Sequence, residues 1–189
     1  LEELAAKTLA IVEDGLLAVL ESDAPAELRR AALESLGYSS RPEAAEHIAR
    51  ALAHPDSRWV TGGLNAAAHS GDSQWNDQVL DLLTSPQDDV RLAAVEAAGD
   101  IYIEDARPIL IGMLEGEEDQ DILMAIIWSL SQIGGEDVEV TLEALLDATE
   151  DDQLSEFIEE ALENLAFTQD MEDFSFLSVD PEDEPEDKG

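Results

Sequence analysis

"VRLAAVEAAG", residues 90–99, is the key to the architecture, because the chain carries a second, closely similar stretch. Residues 28–37 read "LRRAALESLG": Leu or Val, Arg, Ala-Ala, Leu or Val, Glu and Gly fall in register 62 residues earlier. At half that spacing stands "WVTGGLNAAA" (59–68), with Gly62-Gly63 in the Ala-Ala slots. Stepping forward from Val90 by 32 residues, twice, reaches "ILMAIIWSLSQI" (122–133) and "LSEFIEEALENL" (154–165). Five segments thus recur every 31–32 residues, and a period of that size marks an array of small structural units.

A second series alternates with the first: "LLAVL" (16–20), "IARAL" (48–52), "VLDLL" (79–83), "ILIGML" (109–114) and "LEALL" (142–146). Apolar residues at i, i+3, i+4 and i+7 give both series helical periodicity. Between them lie "ESDAP", "AHPDS", "TSPQDD", "EGEEDQD" and "DATEDD". These turns supply Ser, Thr or Asp as helix N-caps, and carboxylates for the positive end of the next helix. Pro42 and Pro108 stand near helix starts, where a missing N–H matters little. Gly37, Gly71, Gly99 and Gly134-Gly135 stand at or near helix ends and are expected to form left-handed caps. The unit is therefore helix–turn–helix, with pairs over about 4–37, 42–70, 75–102, 105–134 and 136–167. One pair cannot hide its apolar stripe, whereas stacked pairs can. The expectation is an all-α solenoid over 1–167, followed by an acidic, mostly disordered tail over 168–189.

"DDVRLAAVEAAGDI" (88–101) resembles the second helix of a HEAT repeat, of the short type named after phycobilisome lyases. The resemblance spans about 4–167 and is strongest at 88–101 and 26–37. The family's Asp-Val-Arg start is kept as Asp89-Val90-Arg91 and partly as Glu27-Leu28-Arg29. It is lost at Val60, Leu123 and Ser155, and with it the usual contacts between repeats. A tetratricopeptide array fits less well, since its 34-residue period and Trp-Leu-Gly-Tyr pattern are absent. The resemblance implies a right-handed α-α superhelix, and a scaffold that holds other proteins on a concave face lined by the second helices.

Charge narrows the partners. The chain has 46 acidic and 9 basic residues, a net −37. Residues 108–187 carry 26 of the acids and no base. Such a surface repels nucleic acid and anionic lipid, and leaves proteins, basic ones among them, and cations as partners. No apolar run approaches the roughly 20 residues of a membrane span, and a cytoplasmic location is expected. Beginning at Leu1 rather than Met suits a fragment or a processed form.

Within this acidic chain, "ILMAIIWSLSQI" (122–133) bears no charge and is apolar all round. In the fifth repeat, Leu154, Phe157, Ile158, Ala161, Leu162 and Leu165 form one apolar face, with Glu156, Glu159, Glu160 and Glu163 opposite. Ser155 shares that outer arc, and the corresponding positions in the fourth repeat are Leu123, Met124, Ile127, Trp128 and Ser131. Three readings follow. Tight stacking buries Leu123 and Ile127, a view favoured by Leu33, Leu64 and Val95 in the Ile127 column. Alternatively, Met124 and Trp128, whose counterparts are mostly polar, project onto the concave face and anchor a partner; Trp is favoured at binding hot spots. Or the tail's apolar island "FSFLSV" (174–179), through Phe174, Phe176 and Leu177, folds back onto a groove or serves as a linear motif for another protein.

The chain offers little for catalysis. With no cysteine there is no disulfide, thiolate metal site or cysteine nucleophile. His47, His54 and His69 have no metal-ligand spacing. Glu46-His47 reverses, and does not repeat, the His-Glu pairs by which some HEAT-like enzymes hold iron. The acidic turns lack EF-hand spacing, and neither a phosphate loop nor a nucleophile elbow is present. HEAT-like DNA glycosylases need a basic groove, the opposite of this chain's charge. No enzyme, metal or cofactor is expected. Gly62-Gly63 inside a helix points to a close neighbour, with Trp59 or Trp75 as filler, or to a bend.

The expected function is a non-catalytic scaffold for another protein. Alternatives are an accessory subunit of a bilin lyase-type system, and an acidic chaperone or nucleic-acid mimic that captures basic proteins.

Overall fold

A computed structural model of the chain describes the backbone over residues 2–175 and side chains over residues 6–167. Among the described residues all regular structure is helical. The chain divides into two compact units, Leu1–Ile133 and Gly134–Gly189.

The first unit holds four helix pairs. They are α1 (Glu2–Glu21) with α2 (Ala26–Leu36), α3 (Pro42–Leu52) with α4 (Ser57–Ser70), α5 (Asn76–Leu82) with α6 (Asp88–Asp100), and α7 (Arg107–Leu114) with α8 (Gln120–Ile133). The helices of each pair pack together, and the second helices pack in sequence: α2 on α4, α4 on α6, α6 on α8. This is the helical repeat solenoid that the 31–32-residue period predicts. Short 3-10 turns at Ser73–Trp75 and Glu104–Ala106 lead into α5 and α7. The second unit is one further pair, α9 (Glu136–Ala148) and α10 (Asp152–Ser175), packed on each other. Helix α10 continues to Ser175, beyond the boundary after residue 167 drawn from composition. Residues 176–189 lie outside the described residues.

Stacking the second helices builds the core from repeated columns. Leu33, Leu64, Val95 and Ile127 are each 0% exposed. Leu36, Ala67, Ala98 and Leu130, three residues further along each helix, are also fully buried. Ile48, Val79 and Leu110 form the matching column of first helices. Each large member contributes about 1.5–3 kcal/mol by leaving water. In the second unit Val138, Leu142, Ile158, Ala161 and Leu165 are buried, while Glu156, Glu159, Glu160 and Glu163 are exposed as the amphipathic pattern requires.

The turn aspartates cap helices. Asp56 Oδ1 accepts from the Arg58 N–H at 3.1 Å at the start of α4. Asp119 Oδ1 accepts from the N–H groups of Asp121 and Ile122 at 3.0 and 3.2 Å ahead of α8. Asp151 does the same for Gln153 and Leu154 at α10.

The glycines divide into two kinds. Gly71 (φ 59°), Gly134 (φ 73°) and Gly135 (φ 119°) are left-handed, as expected of helix ends. Gly37 and Gly99 correct that expectation. Gly37 keeps right-handed dihedrals, and Gly99 lies inside α6. The left-handed residue after α6 is Tyr102, at φ 55°. What Gly99 provides is room: a Cβ there would stand 2.6 Å from Gln132 Oε1 and 2.7 Å from Ser129 Oγ on α8. A Cβ on Gly37 would likewise run into the Ala66 carbonyl oxygen and come 2.8 Å from His69 Cβ on α4. Gly63 has a third such role, but not with tryptophan as filler. A Cβ there would lie 3.0 Å from Leu52 N and 3.1 Å from Ala51 Cβ, so the close neighbour is α3. Gly62 meets only ordinary contacts, at 3.5–3.9 Å.

Candidate functional site

One position past the buried column Leu33, Leu64, Val95 and Ile127, the helical step of about 100° turns the side chain out of the core. Those next residues are Glu34, Asn65, Glu96 and Trp128, one from each second helix of the first unit. All four line a groove of about 510 Å3. Every residue that lines it comes from α2, α4, α6 or α8, including His69, Asp100 and Gln132.

The groove has an apolar end and acidic walls. Trp128 is 40% exposed, an unusual state for the largest apolar side chain in a chain with only three tryptophans. Glu34, Glu96 and Asp100 supply three carboxylates. Desolvation raises the Glu96 carboxyl above its ordinary value, and the charge of Asp100 adds to the effect. A cation placed between them relieves that repulsion, and a cation over the Trp128 ring adds attraction to its π face. The floor is rigid. Ser129 Oγ, buried, donates to the Val95 carbonyl at 2.9 Å and ties α8 to α6. His69 Nδ1 lies 3.1 Å from the Glu34 carbonyl oxygen, and its ring stacks on Tyr38 with centroids 4.5 Å apart.

The residues singled out from sequence separate by exposure. Trp128 faces the groove. Leu123 and Met124 are half-buried and do not form its wall. Ile127 is fully buried, a member of the structural column with no surface to offer a partner. The Phe174 side chain, Phe176 and Leu177 lie outside the described residues. Sequence reasoning missed His69, Asp100 and Gln132. The signal available was spacing: Asp100 follows Glu96 by four residues, and Gln132 follows Trp128 by four, which sets each pair on one helix face.

The Asp-Val-Arg motif, where it survives, makes polar contacts to both neighbouring repeats. Asp89 Oδ2 accepts from Ser57 Oγ of the preceding repeat at 2.7 Å. Arg91 reaches forward to Glu117 at 3.1 Å, and also pairs with Asp88 at 3.0 Å. Among the described residues no group of three or more His, Asp or Glu side chains is placed to hold a metal ion, and no helix is long and apolar enough to cross a membrane.

A family model for HEAT repeats matches residues 76–166, and one for the PBS lyase HEAT-like repeat matches residues 28–54. Families of this kind generally mediate protein interactions and are generally non-catalytic. No curated protein matches the chain. Among solved structures, the crystal structure of an engineered protein is similar, with a TM-score of 0.54 at 20% identity over 83% of this chain and 80% of that one. At that identity the likeness shows the fold alone.

Proposed function

Since the chain belongs to the HEAT-like repeat proteins, we propose that it is a non-catalytic scaffold that holds a protein partner in the groove across its second helices. Trp128 anchors the partner, and the acidic walls select a segment bearing lysine or arginine. The observation that carries this reading is the position of Trp128. It stands half out of the core, in the column otherwise filled by Glu34, Asn65 and Glu96, and beside a groove with three carboxylates. Burying that ring on a partner contributes about 1.5–3 kcal/mol, and each cation placed on the ring contributes about 0.5–2 kcal/mol. A surface at −37 also steers a basic segment inward.

The test is calorimetric titration with a short peptide of alternating arginine and leucine. Trp128→Ala and Glu96→Gln should each weaken binding about ten-fold. Glu143→Gln, at an exposed position in the second unit, should leave it unchanged. An affinity indifferent to Trp128→Ala overturns the groove. Equal losses from Glu96→Gln and Glu143→Gln would indicate diffuse capture of basic proteins by charge instead.

A second reading, an accessory subunit of a bilin lyase-type system, is favoured by the PBS lyase HEAT-like match over 28–54. Added bilin should then show a shifted absorbance on mixing, and an unshifted spectrum counts against it.

A further inference from the structure

A second pocket, of about 410 Å3, opens where α1 and α3 end and α2 and α4 begin. Its chemistry opposes the rest of the molecule. In a chain at −37, its walls carry Arg29, Arg50, His47 and His54 against the single carboxylate of Glu21. The Arg29 guanidinium lies over the Trp59 ring, 5.3 Å from its centroid, and the His54 ring is tilted against the same tryptophan at 5.6 Å.

The internal repeat shows what this pocket lacks. Arg29 and Arg91 are the same position of the repeat, 62 residues apart. Arg91 donates its Nε–H to Glu117, 26 residues further on, and pairs with Asp88, three residues back. The corresponding positions around Arg29 hold Pro55 and Ala26. Neither carboxylate is present beside Arg29. Arg29 Nε is buried with no hydrogen-bond partner, and among the described residues Arg29 makes no ion pair. A buried donor left unmade is costly, and arginine's fork suits a planar carboxylate better than any other common group. Arg50 adds charge from an exposed position: its Nε–H donates to the Glu46 carbonyl oxygen at 3.1 Å, and its terminal nitrogen makes only a long contact, 3.8 Å, to the Glu46 carboxylate. His47 Nε2 stands 3.6 Å from Glu21, beyond hydrogen-bonding distance.

We propose that this pocket binds a glutamate or aspartate side chain of an acidic peptide segment on a partner protein, its carboxylate taking the place beside Arg29 that Glu117 fills beside Arg91. The neighbouring methylenes rest on Trp59. Long-range repulsion from the acidic surface is screened beyond about 8 Å at physiological salt, so the local cluster governs the contact. This site is separate from the groove, and its fate does not depend on the groove's role.

The probe is a short capped peptide with two central glutamates flanked by leucine, and its twin with glutamine in their place. Binding is followed by the Arg29 Nε–Hε and Trp59 indole resonances in nitrogen–proton correlation spectra of the whole chain. The glutamate peptide should move both resonances and saturate, and the glutamine twin should bind about ten-fold more weakly, the value of one charge-assisted pair. Pro55→Glu restores the internal carboxylate and should exclude the peptide. If that variant does not fold, Arg50→Gln, on an exposed side chain, should still weaken binding several-fold. Equal binding of the two peptides, or still resonances with the glutamate peptide, overturns the proposal. So does phenyl phosphate displacing the peptide more readily than glutamate does, which would mark a phosphate site.

Discussion

Arg91 donates its Nε–H to Glu117 Oε2 at 3.1 Å, from α6 to the turn that precedes α8. The two side chains are 18% and 11% exposed, so the pair is largely shielded from solvent. Backbone N–H donation from Asp119, with help from Arg91, holds the Glu117 carboxyl below its ordinary 4.5. A carboxylate whose pKa is lowered by folding stabilises the fold above its unfolded value and loses that contribution as the pH falls below it. Arg91→Gln should therefore lower stability by about 1–2 kcal/mol at neutral pH. In urea melts repeated down through pH 4.5 the loss should shrink, and a loss that stays constant into acid would show that the pair does not couple α6 to the turn.

Gly99 and Gly112 should respond in opposite directions to the same change. Alanine at Gly99 drives a Cβ into Ser129 and Gln132, and overpacking of that kind costs about 1–3 kcal/mol. Gly112, within α7, has nothing within 4 Å of its missing Cβ. Alanine there should stabilise by up to about 1 kcal/mol through helix propensity. Thermal melts of the two variants check both signs.

Neighbours on α8 separate structure from function. Ile127→Ala empties a fully buried site and should destabilise by about 2–5 kcal/mol. Trp128→Ala, one residue later and 40% exposed, should move stability by less than about 1 kcal/mol. Chemical denaturation distinguishes them, and a Trp128→Ala loss as large as that at Ile127 would place Trp128 in the core.

Glu96 carries a pH signature. Its raised carboxyl pKa comes from desolvation first and Asp100 second. For an acid raised by folding, the charged form strains the folded state, so the penalty grows as the pH climbs above the ordinary 4.5 and vanishes below it. Glu96→Gln should raise the melting temperature at neutral pH and leave it unchanged in acid. A variant less stable than the parent at neutral pH contradicts this account.

The alternation of two helical series was legible because its causes are local. Apolar residues at i, i+3 and i+4, and aspartates such as Asp56, Asp119 and Asp151 ahead of helices, act within one or two turns of chain. Their recurrence every 31–32 residues then left stacking as the way to hide each stripe. Even the structural role of the Ile127 column could be read from Leu33, Leu64 and Val95. Opaque features were those fixed by a neighbour's distance. Gly99 has the look of a helix end, and only the approach of α8 gives it another reason to be glycine. Trp128 and Ile127 are both apolar and adjacent, and only the packing of α8 on α6 turns one inward and the other into the groove.

The helix pairs, their number and the step between them follow from the order of residues along the chain, because periodicity and capping act locally. Tertiary structure alone decided how closely the second helices approach, which α8 side chains stay in solvent, and that Arg29 meets Trp59 where Arg91 meets Glu117. Those outcomes depend on side chains about 30 residues apart in sequence, whose volumes and charges meet only once the pairs have stacked.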